Sequence, residues 1–390
     1  MKTAKYSHPM FLATSTFCSS IVVLASTLAL SFIAIPATAQ SDAARAIYLS
    51  AATVPTAVAG IRTYPEPPKG FNPIVASDED LATYGFPPRP DKLADPDHRA
   101  KWERAMLVAK KRSTTPLHAL SISSREMMPA RQPAAAAISA GPSTSSSLNW
   151  SGLVNTNTRT TFSPLSSFTS VNSVWNVPVA QPPFGACAGG ITGPFYEVSW
   201  NGIDGWKNGD VLQGGSYSAS DCSGNTAYLA WIEWYPSYPI VEVFPINPGD
   251  DMYVQTFDTL GGTNPGNVYV EDLTTLTFNT YQLSYVTGPG LVGNSAEWIV
   301  ERPCCNADGY PLALANIYFD FFDESWANLG NGKQFYPGST SLSTYNVSMV
   351  DDGDTQKISV VNAGTGGYQG KYSLWFQITG CAFTPGCVAF

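Results

Sequence analysis

The side chains that could act as acids, bases or nucleophiles after residue 148 form a restricted set. The chain has three histidines, His8, His98 and His118, and all of them precede that position. A Ser-His-Asp or Cys-His mechanism and a histidine-ligated zinc site are therefore excluded for residues 148–390. That segment also has no GKS or GKT phosphate-binding loop. Carboxylates, amides, hydroxyls and aromatic rings remain, and with these groups acid hydrolases act on peptides or glycans.

Four short motifs contain most of the candidate groups. In chain order they are WNGIDG at Trp200–Gly205, VLQGG at Val211–Gly215, WIEWYP at Trp231–Pro236 and SAEWIVE at Ser295–Glu301. An ionised Glu297 could take a proton from water and so activate it for attack on a carbonyl. The amide of Gln213 donates hydrogen bonds that do not titrate, so it could stabilise the resulting oxyanion.

The elements that carry these motifs are predicted to be strands. In Tyr228–Tyr235, alternation puts Trp231, Glu233 and Tyr235 on one face and the intervening residues on the other. Similar runs occur at Val171–Val177, Tyr253–Phe257, Leu276–Tyr285, Ala296–Glu301, Ala315–Phe321, Lys357–Val361 and Tyr372–Ile378. Many short strands separated by Gly and Pro turns predict an all-β antiparallel sandwich or barrel.

The order and spacing of the motifs resemble the glutamic peptidase (eqolisin) family. The resemblance begins at Asn149-Trp150-Ser151-Gly152 and extends to about Phe383, with insertions such as Pro182–Gly193. It implies an antiparallel β-sandwich of the concanavalin or lectin-like jelly-roll type over residues 148–390. It also implies a secreted acid endopeptidase with Gln213 and Glu297 as catalytic residues and without a metal or cofactor.

Further positions in and beside the motifs are assigned to substrate binding or support of the cleft; these are Trp200, Asp204, Tyr217, Trp231, Glu233 and Trp298. Tyr217 departs from the family, whose best-known members have an acidic residue there, so residue preferences near the cleaved bond are expected to differ. Ser295 replaces the usual Asn.

Several of these assignments have alternatives. Trp200 and Trp231 could pack in the core, Asp204 could be a turn residue and Glu233 a buried structural acid. A β-sandwich glycoside hydrolase with Glu233 and Glu297 as its acid and nucleophile is a rival function. A carbohydrate-binding module that uses only its aromatic residues is another.

The chain is divided into three parts by composition. An apolar run at Ile21–Ile35 after Lys2 and Lys5, followed by Ala37-Thr38-Ala39, predicts a cleaved signal peptide at 1–39 and a secreted protein. Residues 41–145 have 13 Lys and Arg against 10 Asp and Glu, whereas residues 146–390 have 6 against 20. Residues 146–390 are therefore acidic, which argues against nucleic acid as a partner.

Residues 40–147 are predicted to be a basic propeptide and linker, with a disordered or wall-associated spacer as the alternative. The spacing of Trp102, Met106 and Ala109 predicts an amphipathic helix over Asp97–Arg112. Its last residues, Lys110-Lys111-Arg112, could lie over the acidic cleft and let the propeptide act as an intramolecular inhibitor. The stretch Pro133–Ser147 is predicted to be a flexible linker in which acid-triggered cleavage occurs.

Cysteine usage fits an exported protein. Cys18 leaves with the signal peptide, and Cys187, Cys222, Cys304, Cys305, Cys381 and Cys387 could form up to three disulfides. Cys381–Cys387 and Cys187–Cys222 are plausible pairs, whereas Cys304 and Cys305 could pair with each other only with strain. The expected partners are protein or peptide substrates, and the mature protein is expected to be a monomer without stable membrane insertion.

Overall fold

The computed structural model describes residues 51–91, 96–107, 110–124, 142–206, 208–258, 264–286, 288, 290–305, 309–351, 357–363 and 374–378. The helices are α1 (Asp78–Thr83) and α2 (Pro96–Met106). The strands are β1 (Val54–Pro55), β2 (Ile61–Thr63), β3 (Lys111–Arg112), β4 (His118–Ala119), β5 (Ser143–Ser147), β6 (Trp150–Thr156), β7 (Phe168–Asn176), β8 (Phe195–Ile203), β9 (Val211–Ser220), β10 (Thr226–Tyr235), β11 (Val241–Pro245), β12 (Asp251–Asp258), β13 (Gly266–Asp272), β14 (Thr277–Leu283), β15 (Ser295–Glu301), β16 (Phe319–Leu329), β17 (Gln334–Phe335), β18 (Ser343–Val350), β19 (Lys357–Ala363) and β20 (Leu374–Ile378).

The strands form two layers that are joined at one edge. The first sheet has the order β11-β10-β9-β8-β15-β6-β18, and all of its neighbouring strands are antiparallel. The second sheet has the order β20-β16-β7-β12-β13-β14 and is also antiparallel. Strand β19 pairs with both β18 and β20 and so links the two layers. The prediction of an all-β antiparallel sandwich is confirmed.

Alternation along the strands of the first sheet separates a core face from an outer face. Leu212, Ile232, Ala296 and Trp298 point into the core between the sheets, together with Val254 and Val268 of the second sheet. Their neighbours one residue away point outward, where a second group of buried apolar side chains surrounds Trp200 and Trp231. Because side chains alternate along a strand, Gln213, Glu233 and Glu297 lie on this outer face.

The segment before residue 125 is folded against the sandwich. Leu81, Phe86, Trp102 and Met106 from α1, α2 and the chain between them are buried on the outer face of the second sheet, against side chains that include Tyr253, Phe257, Tyr269 and Phe278. Strand β2 extends the same sheet by pairing with β14. Over the described residues from 51 to 124, the alternative of a disordered spacer is therefore wrong.

Three sequence-based boundaries need correction. The helix predicted to Arg112 ends at Met106, because Lys111–Arg112 form β3 and pair with β14. The last five residues of the expected linker, Ser143–Ser147, form β5 and pair with β18 in parallel. The strand predicted at Ala315–Phe321 begins only at Phe319, since Asn316 instead forms an isolated bridge with Gln181.

The predicted disulfide between Cys187 and Cys222 is present and joins the loop before β8 to the end of β9. Cys304 and Cys305 lie next to each other in the chain that follows β15. Cys381, Cys387 and the expected signal peptide at 1–39 lie outside the described residues. Among the described helices, none is long and apolar enough to cross a membrane.

Candidate active site

Gln213 and Glu297 lie in one row across the first sheet. Gly202 of β8 is in register with Gln213 on one side and with Glu297 on the other. Glu233 of β10 is in register with Gln213 and continues the row. Two strand spacings separate the Cα atoms of Gln213 and Glu297, roughly 10 Å. Two long polar side chains on the same face therefore point into one space.

Gly202 keeps that space open. A Cβ atom at this position would lie 3.0 Å from the carbonyl oxygen of Leu212 and 3.1 Å from Cβ of Gln213. Any other residue would also place its side chain between the amide and the carboxylate. Gly202 of WNGIDG is thus explained by a close approach of the backbone and by the gap between the two candidate catalytic groups.

Aromatic side chains occupy the next row on the same face. Gly215 is in register with Trp231 on β10 and Trp200 on β8, so the two indoles flank a position without a side chain. Both indoles are fully buried. Trp200 also packs edge-to-face on Trp150, with 4.9 Å between the ring centroids. The tryptophans therefore both pack in an apolar group and border the row that contains Gln213.

A segment from outside the sandwich crosses this face. His118–Ala119 pairs with β11, Ile240 donates its N–H to the carbonyl of Ile122, and Ser123 exchanges two backbone hydrogen bonds with Cys304. Residues 118–124, the covering segment, thus run from the β11 edge to the chain that follows β15. Leu120 and Ile122 pack on the aromatic group beneath.

The covering segment ends with Ser124 at the candidate catalytic residues. Its carbonyl oxygen accepts a hydrogen bond of 2.7 Å from Nε2 of Gln213. Its N–H donates to Oε2 of Glu233 over 2.9 Å. Its hydroxyl lies 3.3 Å from Oε1 of Gln213 and also contacts Oε2 of Glu301. Ser124 is fully buried. The main chain and the side chain of one residue are therefore both bound.

Glu233 orients the amide of Gln213. Its Oε2 accepts a second hydrogen bond from Nε2 of Gln213, at 2.9 Å. This contact fixes which end of the amide carries the donors. Burial raises the pKa of Glu233 well above its ordinary value, and the nearby Glu301 adds to the shift. Glu233 is consequently protonated in acid, so it can orient the amide of Gln213 there without a negative charge of its own.

Glu301 is a further buried acid on this face, and it was not among the predicted site residues. Its Oε1 accepts from Nδ2 of Asn149 at 2.7 Å and its Oε2 from Nε1 of Trp200 at 2.8 Å. Burial raises its pKa to about 8, although the hydrogen bonds from Ser124, Trp200 and Asn149 oppose the shift. The carboxyl is therefore neutral in acid and is held in one orientation.

The remaining predicted positions lie in different surroundings. Asp204 accepts hydrogen bonds from the N–H groups of Val292, Gly293 and Asn294 at 2.7–2.9 Å and so anchors the chain that leads into β15. Tyr217 is on the outer face, with its ring centroid 5.8 Å from that of Tyr196.

Trp298 faces the opposite side of β15 from Glu297. Its Nε1 donates to the carbonyl of Asn172, and its ring lies in the core between the sheets.

The basic triplet is not at the cleft. Lys110 forms a buried ion pair with Glu271 of β13. Arg112 donates to Oδ1 of Asn279 at 2.5 Å and lies over the ring of Phe278, 4.7 Å from its centroid. These partners belong to the second sheet. The hypothesis that this triplet lies over the acidic cleft is therefore wrong, and the covering segment occupies that place.

Sequence reasoning missed Ser124 and Glu301 for different reasons. Glu301 is four residues from Glu297 on one strand, so period-2 alternation could have placed both on the same face. Asn149 stands in the Asn-Trp-Ser-Gly motif, but its contact with Glu301 joins two strands. Ser124 has no sequence signal, because its place depends on the path of the covering segment.

Comparison with known proteins gives a family match for the sandwich. Residues 148–328 match the model described as the Peptidase A4 family. Aspergillopepsin-2 of Aspergillus niger is 34% identical over 110 residues, which are 27% of this chain. The matched region spans 38% of the length of that relative.

Three solved structures are also similar. Scytalido-glutamic peptidase with a peptide-based transition state analog is 20% identical, with a TM-score of 0.46, over 59% of this chain and 98% of that one. SCP-B, an Eqolisin family member in complex with the tripeptide Ala-Ile-His, is 19% identical with a TM-score of 0.44, over 59% and 98%. Aspergilloglutamic peptidase from Aspergillus niger is 26% identical with a TM-score of 0.39, over 47% and 99%.

Proposed function

We propose that this chain, whose residues 148–328 match the Peptidase A4 family, is the precursor of a secreted acid endopeptidase of that family. In this proposal Glu297 activates water, Gln213 stabilises the oxyanion, and the segment before residue 125 keeps the precursor inactive. The observation that carries the proposal is the hydrogen bond from Gln213 to the carbonyl of Ser124. A peptide carbonyl is already bound where the candidate oxyanion donor requires one.

The role of Gln213 follows from its two contacts. Glu233 accepts one hydrogen bond from Nε2, so a second donor position on that nitrogen remains for a carbonyl. As water attacks, negative charge develops on the carbonyl oxygen, and a donor already in place stabilises it. One such donor contributes about 3 kcal/mol in comparable sites.

The role of Glu297 follows from its position in the row. The side chain is fully buried and lies beyond Gly202 from Gln213. A carboxylate there can accept a proton from a water that attacks the carbonyl held by Gln213. The protonated Glu297 then gives the proton to the leaving amine. Atoms and charges balance without a covalent intermediate.

The covering segment explains why the precursor would be inactive. Substrate needs the donor of Gln213 and the face around Trp200, and residues 118–124 occupy both. The ion pair of Lys110 with Glu271 helps to hold the same part of the chain. Acid lowers the negative charge of carboxylates in general and so weakens ion pairs, which agrees with release of the segment on acidification.

The proposal is tested by proteolysis at pH 3 with the full-length chain, Gln213→Ala and Glu297→Gln. Digestion of an unfolded protein is followed by mass spectrometry. We expect Gln213→Ala to lower kcat by about 100- to 1,000-fold and Glu297→Gln to remove activity. Gln334→Ala on β17, which pairs with β16 of the second sheet, is the matched control, and circular dichroism verifies that each variant folds.

Proteolysis at close to the wild-type rate in either variant would contradict the mechanism. The rival glycoside hydrolase makes the opposite prediction, because a glycosidase does not need an amide at position 213. Glycan cleavage that survives Gln213→Ala, in a protein that digests no peptide, would favour that rival.

The site of processing gives a second test. Since β5 begins at Ser143 and belongs to the sandwich, we expect the mature chain to begin between Ser124 and Ser143. Mass spectrometry of the acid-treated precursor measures this directly. An N-terminus after Ser147 would mean that β5 is dispensable.

A further inference from the structure

Ser124 is bound at three points, and only two of them involve the main chain. Gln213 binds its carbonyl and Glu233 binds its N–H, which any residue could provide. The third point is the hydroxyl, which lies between Oε1 of Gln213 and Oε2 of Glu301. The site therefore has a polar position for the side chain of the residue whose carbonyl faces Gln213.

The Glu301 side chain is fixed at that position by burial and by hydrogen bonds. The carboxyl is fully buried, and Asn149 and Trp200 each donate a hydrogen bond to it. These contacts hold the two carboxyl oxygens in place, so Oε2 faces the Ser124 hydroxyl without free rotation. Glu301 has no part in the water activation assigned to Glu297.

A hydroxyl suits this position because it can donate and accept at the same time. Glu301 is neutral in acid, since burial raises its pKa to about 8. Its proton can be donated to the hydroxyl oxygen, and the hydroxyl can then donate to Oε1 of Gln213. An alanine side chain would leave the acid proton and the amide oxygen unpaired, and leaving buried polar groups unpaired is unfavourable.

We propose that Glu301 is a specificity-determining residue that selects serine, in the substrate, at the position whose carbonyl Gln213 binds. This inference rests on the proposed peptidase function and deepens it by naming a substrate preference. The covering segment satisfies the same subsite with its own Ser124. A substrate serine there would also help Glu233 to orient the amide of Gln213.

The experiment compares peptides that differ only at the residue before the cleaved bond. The acid-treated full-length protein cuts a complex peptide mixture at pH 3, and mass spectrometry gives the residue that precedes each cut. Matched synthetic peptides with Ser, Ala or Val at that position then give kcat/KM. We expect Ser to exceed Ala by about 5- to 10-fold, as for one hydrogen bond to a buried polar group.

Two variants assign the preference to Glu301. Glu301→Gln retains both a donor and an acceptor, so the preference for Ser should persist. Glu301→Met removes both at similar size, and the Ser to Ala ratio should fall to within about 2-fold. The wild-type ratio decides the matter even where Glu301→Met does not fold.

The outcomes separate this inference from the proposed function. If the wild type cuts Ser and Ala peptides equally while Gln213→Ala is inactive, the subsite proposal is wrong and the peptidase proposal stands. An unchanged Ser preference in folded Glu301→Met would also overturn the subsite proposal. If Gln213→Ala cuts as well as the wild type, the peptidase mechanism itself fails.

Discussion

Strand β8 separates two regions in which a buried serine hydroxyl lies between two polar groups. On the outer face, the hydroxyl of Ser124 lies between Gln213 and Glu301. On the core face, the hydroxyl of Ser199 lies between Oε1 of Glu197 and Oδ2 of Asp320, the latter at 2.7 Å. The two arrangements share their chemistry and differ in where the hydroxyl comes from.

The origin of the hydroxyl decides whether another molecule can replace it. Ser199 and its partners belong to strands β8 and β16 of the sandwich, so their contacts persist as long as the fold does. Ser124 belongs to a segment that crosses the sheet from outside, and in the proposed function a substrate peptide takes its place. The outer arrangement can therefore serve binding, whereas the core arrangement contributes only to stability.

The core arrangement also makes the free energy of unfolding depend on pH. A single hydroxyl proton cannot be donated to two carboxylates, so one of the two acids carries a proton. Burial raises the pKa of Asp320 to about 7, and burial together with Asp320 raises that of Glu197 well above its ordinary value. Tyr228 is a further titratable group that faces Glu197.

Among substitutions on the two faces of β8, the largest effect is expected at Gly202, on the outer face. Gly202→Val places a side chain between Gln213 and Glu297, where even a Cβ atom would lie 3.1 Å from Cβ of Gln213. Displacement of reacting groups by about 1 Å lowers rates on the order of 100-fold, and we expect that loss in kcat/KM. Gly209→Ala is the control, since its Cβ would meet no atom within 4 Å. Unchanged activity in Gly202→Val would show that the row is not the reacting centre.

A stability effect of intermediate size is expected in the core pair. The pKa of Asp320 is about 7 when folded and about 3.9 in an unfolded chain. The unfolded state therefore loses its proton first as pH rises, and the free energy of unfolding falls between about pH 4 and pH 7. Asp320→Asn cannot ionise and avoids this loss, which is on the order of 2–4 kcal/mol.

Thermal unfolding at two pH values checks this. We expect Asp320→Asn to have a higher Tm than the wild type at pH 7 and a similar Tm at pH 3. Glu79→Gln, at an exposed position on α1, should change neither value. A wild-type Tm that is the same at both pH values would refute a pH-sensitive core pair.

Much of the sandwich was predictable because its signal is local. Alternation in Tyr228–Tyr235 and Ala296–Glu301 placed both strands within one residue or two of their ends. Ser143–Ser147 was misinterpreted because a Ser-rich run has the composition of a linker, and only pairing with β18 makes it a strand. The helix limit at Met106 likewise depended on the distant β14.

The candidate site was predictable only as far as residue types and motifs indicate chemistry. The candidate pair Gln213 and Glu297 was predicted from motifs that resemble a known family, and the absence of histidine after position 118 only excluded other mechanisms. Their shared register with Gly202 depends on strand order, which a sequence does not state. The ion pair of Lys110 with Glu271 could not be predicted either. A basic triplet is attracted to any acidic surface, and the sequence does not say which one lies beside it.

The smallest effects come from the same substitution in the two regions. Ser199→Ala removes the hydroxyl between two buried carboxyls, and we expect a loss of about 1–2 kcal/mol in the free energy of unfolding at pH 3.

Ser124→Ala leaves every contact within the sandwich intact, so the Tm of the processed protein should not change. It should instead loosen the covering segment and speed acid conversion of the precursor, by about 5-fold for one lost hydrogen bond. Time courses by mass spectrometry measure conversion, and calorimetry measures Tm. If Ser124→Ala lowered the Tm of the processed protein as Ser199→Ala does, the covering segment would be a permanent part of the fold, and exchange with substrate at Gln213 would be ruled out.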